Sequence, residues 1–212
     1  GRWCFLMSRV QQGHFVQGHV GWHEDVSALL RLSRTAHVFI YRDLRDVVVS
    51  MTYHIMSDRV DDLIFPWRDE FEGMSKHEIM LKVVTGHGHL DGIIERWEVF
   101  APWLDCDWVL KIPFEEMRLK RERAAKTFFD YVFSLSLKES GVNGSMANER
   151  IRKAVIGCIL TEMCATQYSV TFRKGKTGGW KRATPARMWD GRHNATASIV
   201  GQRFRNSVFL EG

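Results

Sequence analysis

Arg42 and Ser50 are residue types whose spacing suggests chemistry. An arginine fork and a hydroxyl that converge near a helix N-terminus make a site for a doubly charged phosphate. The plainer alternative pairs Arg42 with Asp43 or Asp46 and leaves Ser50 as a small packing residue. A second stretch, Phe172-Arg173-Lys174-Gly175-Lys176-Thr177-Gly178-Gly179-Trp180-Lys181, holds four cations, three glycines and a tryptophan in ten residues. Glycines let backbone N–H groups approach an anion closely, and the cations supply charge. Taken alone, the same stretch also reads as a solvated basic loop.

The elements that must position Arg42 and Ser50 lie in His37–Met51. His37 to Tyr41 is apolar or aromatic except at its first residue, the pattern of a strand buried on both faces in a parallel sheet. A charged turn, Arg42 to Asp46, follows. Val47-Val48-Val49 is β-branched, which weakens a helix assignment on propensity alone. Asp46 is nevertheless a good N-cap, and the chain continues to Met56 without Gly or Pro, so the segment reads strand, loop, helix. Ligands of open α/β sheets sit beyond the C-terminal ends of the strands, and that places Arg42 where a ligand would be.

Together the two stretches resemble the sulfotransferases that use 3′-phosphoadenosine 5′-phosphosulfate (PAPS). That family binds the cofactor's 3′-phosphate with an R-x-P-R-D-x-x-x-S pattern. Arg42, Arg45, Asp46 and Ser50 match it, with Leu44 in place of proline. The family's late loop, R-K-G-x-x-G-D-W-K, is matched by Arg173, Lys174, Gly175, Gly178, Trp180 and Lys181, with Gly179 in place of aspartate. The resemblance runs from about His14 to Lys181. It implies a P-loop NTPase-like sulfotransferase fold with a central parallel sheet flanked by helices, in a single domain over 1–212. It implies that Arg42, Ser50 and Arg173 hold the 3′-phosphate of PAPS or of 3′,5′-ADP (PAP), assisted by the backbone of Lys174 and Gly175. Phe114 matches the aromatic residue beside the adenine, where tyrosine is usual. His19, 23 positions before Arg42, matches the histidine that takes the acceptor's proton, and His14 and His23 are its rivals. Histidine suits that task near neutral pH. No metal is implied; the glycine between His19 and His23 and the lack of a third ligand argue against zinc.

The remaining segments follow a strand and helix alternation expected of an α/β protein. Trp3 to Val10 reads as a strand or buried segment, and Phe15-Val16 as a short strand ending at Gly18. Glu24-Asp25 opens a helix with Val26, Leu29, Leu30 and Leu32 as its apolar positions. Ser57 to Lys76 falls where the resembled family shapes its acceptor pocket. Ile79 to Phe100 is helical, broken at Gly86-His87-Gly88-His89, whose histidines read as polar surface. Trp108 to Ile112 is the next strand, Ala124 to Leu137 and Glu149 to Tyr168 are helices, and Ile199 to Leu210 is helix or strand.

Composition sets the outer bounds. A chain of 212 residues, 45% hydrophobic and 26% charged, suits one folded domain. A net charge of +5 fits a small polyanionic ligand as well as nucleic acid and decides nothing by itself, and no long block of Lys or Arg appears. Arg118, Lys120, Arg121 and Arg123 read as a solvated helix face. The four cysteines show no paired spacing, which fits a reducing compartment, the cytoplasm. No apolar run approaches the roughly 20 residues of a membrane span. The family's glycine-rich P-K-S-G-T-T-W-like loop, which wraps the 5′-phosphosulfate, has no counterpart before His19, so the expectation is a chain lacking the family's N-terminal part. The alternatives are a module that binds 3′,5′-ADP without transferring sulfate and a P-loop kinase-like protein that uses ATP. The resemblance implies a small-molecule acceptor with a hydroxyl or amine, whose identity cannot be read from the residues, and oligomeric state is open.

Overall fold

The computed structural model describes residues 16–33, 35–57, 67–140, 149, 153–158, 160–161 and 177–183, with side chains for all but 136–140 and 182–183. The expected strand over Trp3 to Val10, residues 150–152, 159 and 162–168 of the helix expected over Glu149 to Tyr168, and the Ile199 to Leu210 segment lie outside these residues. So do Arg173, Lys174 and Gly175.

Two short strands, β1 (Val38–Tyr41) and β2 (Leu110–Pro113), pair in parallel with Val38 opposite Leu110 and Tyr41 opposite Pro113. Pro113 has no N–H to give to a ladder and is tolerated at the last rung of a strand that, among the described residues, has an open edge. The strand expected to end at Gly18 is absent over 16–23. That segment is instead tied down at single points: the Trp103 indole donates to Val20 O at 2.9 Å, and Trp22 N donates to Val99 O at 2.8 Å. Helix α1 (Glu24–Leu32) then starts behind His23, whose ring accepts from Asp25 N at 3.2 Å.

Helix α2 (Leu44–Ile55) follows β1. Its N-cap is Asp43, which accepts from Arg45 N at 2.9 Å, and not Asp46 as expected. Both are N-cap residue types, and the helix begins at the earlier one. The Val47–Val49 run is helical because burial overrides its propensity: Val48 and Val49 are buried with Leu44 and Ile55. They pack in one core with Ile79, Met80, Val83 and Val84 of α3 (Lys76–Thr85). Ser75 and Glu78 form a reciprocal capping box at the start of α3. Gly86, at a φ of 87°, ends it, and α4 (Ile93–Glu98) resumes after the turn, as the glycine-histidine break predicts. His89 is exposed and bonds the Glu70 carboxylate, and that bond draws the Glu70 pKa below its ordinary value. His87 is partly buried against Phe71.

A second core surrounds the N-terminal ends of the strands. Leu30, Trp103 and Val109 are buried there, with Val20, Phe39 and Trp108 packed around them. After β2 come α5 (Phe114–Leu119) and α6 (Arg121–Ser140), and a last short helix, α7 (Trp180–Ala183), rests against α2. Among the described residues no helix is long and apolar enough to cross a membrane.

Candidate phosphate site at the C-terminal ends of the strands

The register of the sheet builds the site. Tyr41 and Pro113 are partners at the last rung, so the next residue of each strand, Arg42 and Phe114, emerge side by side. The Arg42 guanidinium lies over the Phe114 ring, its Cζ 4.6 Å from the centroid, which is cation–π distance. A second tie joins the two strand ends: Asp43 N donates to Glu115 Oε1 at 3.2 Å. Burial, and then the charges of Glu115 and Glu116, push the Tyr41 hydroxyl above its ordinary pKa.

Asp46 stands in the first turn of α2 and is only 2% exposed. A buried carboxylate is costly unless paired and hydrogen-bonded. Its partners come from the late basic stretch, 132 and 134 positions along the chain: Gly178 N donates to Oδ2 at 2.7 Å and Trp180 N to Oδ1 at 3.1 Å. Arg42 adds charge, with Nη2 3.8 Å from Asp46 Oδ2, longer than a hydrogen bond. Arg42 is therefore near Asp46, as the plainer reading of the sequence held, and it also sits at the strand end and on Phe114. The two readings describe one arrangement.

Arg45 faces the other way. Its edge makes a forked pair with Asp43, Nε to Oδ1 at 2.9 Å and Nη2 to Oδ2 at 2.7 Å. Its plane lies over the Trp180 indole, with Cζ 3.8 Å from the ring centroid. Asp43, Arg45, Thr177, Gly178, Trp180 and Lys181 line an open cleft of about 840 Å³ here.

Ser50 is the seventh residue of α2, nearly two turns in, because the helix starts at Leu44. It is one turn beyond Asp46 on the same helix face and is partly buried. His19 is exposed, and its ring meets Phe100 edge-on at 6.4 Å. Among the described residues this ring contact does not extend to Arg42, Ser50 or Phe114. Gly21 fits closely against the Val99 side chain: a Cβ there would come within 2.5 Å of Val99 Cγ1. Among the described residues no group of three or more His, Cys, Asp or Glu side chains has the arrangement to hold a metal ion.

The structure thus joins Arg42, Phe114 and the Thr177–Lys181 turn, while His19 stands on a separate segment. Sequence reasoning matched Arg45 and Asp46 to a motif but missed what they hold. The late tryptophan was the available signal, since an arginine plane is a natural partner for an indole face.

No family model matches the chain, and no curated protein does. Among solved structures it is similar to mouse sulfotransferase SULT7A1 complexed with PAP, with a TM-score of 0.59 and 14% identity over 95% of this chain and 72% of that one. At that identity the likeness shows the fold: this chain has a sulfotransferase-like α/β fold of the P-loop NTPase-like type.

Proposed function

We propose that this chain is a PAPS-dependent sulfotransferase, a single-domain enzyme that moves a sulfuryl group to the hydroxyl or amine of a small-molecule acceptor. The observation that carries the reading is the meeting of the two stretches: the Gly178–Trp180 turn is hydrogen-bonded to Asp46, beside Arg42 at the end of β1. An arginine, an aromatic ring and a helix N-terminus beyond the C-terminal ends of parallel strands fit an adenosine carrying a 3′-phosphate. A fold shared with a protein solved with PAP agrees with this.

In this mechanism Arg42 and Ser50 hold the 3′-phosphate, joined by Arg173 and the backbone N–H groups of Lys174 and Gly175, and Phe114 packs beside the adenine. When bound, PAPS supplies an activated sulfuryl group. The His19 imidazole would take the proton from the acceptor's hydroxyl, whose oxygen would gain the sulfuryl group as the bond from sulfur to the 5′-phosphate breaks and 3′,5′-ADP leaves. The same reading places the enzyme in the cytoplasm, without a nucleic-acid partner.

The test is transfer of labelled sulfate from PAPS to a panel of phenol, steroid and sugar hydroxyls. Product from the wild-type chain, and none from His19→Ala with unchanged 3′,5′-ADP affinity, is expected. Tight 3′,5′-ADP binding without product on any acceptor would favour a binding module. Tighter binding of ATP than of 3′,5′-ADP would favour a kinase-like protein.

A further inference from the structure

The glycine-rich late stretch was expected to bring backbone N–H groups to a ligand's phosphate, but two N–H groups of that stretch, those of Gly178 and Trp180, already have an anion. Gly178 N and Trp180 N each take one oxygen of Asp46, so both oxygens of a buried carboxylate are satisfied from one turn. Gly178 has a φ of 66°, the left-handed region in which successive N–H groups form a concave anion cradle. The helix dipole at the first turn of α2 favours the negative charge. Releasing the turn would leave that carboxylate buried and short of partners. The next residue back, Arg45, presses its plane on Trp180 while Asp43 holds its edge. Two consecutive residues of α2 therefore grip the same turn from two sides.

From this geometry we propose that Asp46 is a positioning residue: a latch that docks the Thr177–Lys181 turn on the N-terminus of α2 before any nucleotide arrives, and so sets the affinity for a ribose 3′-phosphate at Arg42. The proposal rests on the sulfotransferase reading for its ligand, but not for the latch itself. Asp46 reaches both parts, through hydrogen bonds to the turn and through the 3.8 Å charge contact to Arg42. Asp46→Asn replaces one acceptor oxygen by an N–H donor that faces another donor, and it removes the charge beside Arg42. Gly178→Ala leaves Asp46 intact and meets no atom within 4 Å, so it acts only by straining the left-handed backbone.

Hydrogen exchange of the nucleotide-free chain tests the latch. The amides of residues 178 and 180 are expected to be protected in the wild type and fast in Asp46→Asn, while those of Val48 to Thr52 in α2 keep their protection. Affinity for 3′,5′-ADP should fall about tenfold in Asp46→Asn, with a smaller loss in Gly178→Ala, and 5′-ADP affinity should change less in both. If Asp46→Asn does not fold, Gly178→Ala carries both measurements. Unchanged protection at 178 and 180, or equal losses for the two nucleotides, overturns the proposal. A wild type that ignores 3′,5′-ADP would defeat the sulfotransferase reading, and the exchange data would then judge the latch alone.

Discussion

The two ends of the parallel strand pair use the same residue types in opposite ways. At the N-terminal end His37 is packed between indoles, 4.3 Å from the Trp103 ring centroid and 5.8 Å from that of Trp108. The Tyr131 hydroxyl accepts from His37 N at 3.3 Å and donates to Trp108 O at 2.9 Å. Aromatic rings and polar groups there close on one another. At the C-terminal end Arg42 also lies on an aromatic ring, but next to a helix N-terminus and a turn delivered from far along the chain, with an open cleft on the Arg45 side of that turn. A cationic or basic group on an aromatic face is therefore not a site by itself. What makes one end a candidate is convergent charge that solvent can reach.

The largest effect should come from a residue outside the C-terminal cluster. If His19 is the base, His19→Ala should cut turnover by about a hundred- to ten-thousand-fold in a sulfate-transfer assay, with nucleotide affinity unchanged. Normal turnover would remove it from the mechanism. Next in size is the closed end. Trp103 is fully buried and its indole holds Val20, one residue from His19. Trp103→Ala should cost about 3–5 kcal/mol of unfolding free energy in urea titrations, and a loss under 1 kcal/mol would show that this end is not the packed plug described.

The open end should respond in affinity and not in stability. Arg42→Ala should weaken 3′,5′-ADP binding by about 1.5–3 kcal/mol while its melting temperature stays near that of the wild type. A large drop in melting temperature would mean that Arg42 is chiefly structural. The smallest effect is a pH slope. Burial lowers the pKa of His37, and burial followed by the Arg68 charge lowers that of His54. Both bind a proton less readily in the fold, so below the ordinary value of 6.5 the unfolded chain binds more protons. Their contribution is present above that pH and is lost as pH falls through the depressed values. Unfolding free energy measured between pH 7.5 and 5 should drop toward acid, and His37→Phe should flatten the slope; an unaltered slope would contradict the lowered His37 pKa.

Much of the C-terminal end was legible because its signals are local. An apolar run, a charged turn and a run without Gly or Pro specify β1, the turn and α2, and Pro113-Phe114 marks the matching end of β2. The pairing of Val38 with Leu110, a long-range contact that these local signals do not specify, is what places Arg42 beside Phe114. The N-cap was misplaced by three residues because Asp43 and Asp46 are equally good caps and only packing decides between them. The burial of Asp46 could not be read, since its partners are backbone N–H groups of Gly178 and Trp180, which no side-chain pattern advertises. The aromatic closure over His37 was hidden for a related reason: Trp103, Trp108 and Tyr131 come from three separate segments. A two-residue strand at Phe15-Val16 was too short a signal to fix a sheet partner, and single backbone and indole ties hold the segment after it.

The central claim is that the C-terminal end of β1 recognises a phosphate on the 3′ position of a ribose. Calorimetric titration of the wild-type chain and Arg42→Ala with 3′,5′-ADP and with 5′-ADP tests it most directly. The account predicts at least a tenfold preference for 3′,5′-ADP in the wild type, about 1.4 kcal/mol or more, and loss of that preference in the variant. Equal affinity of the wild type for the two nucleotides would contradict it.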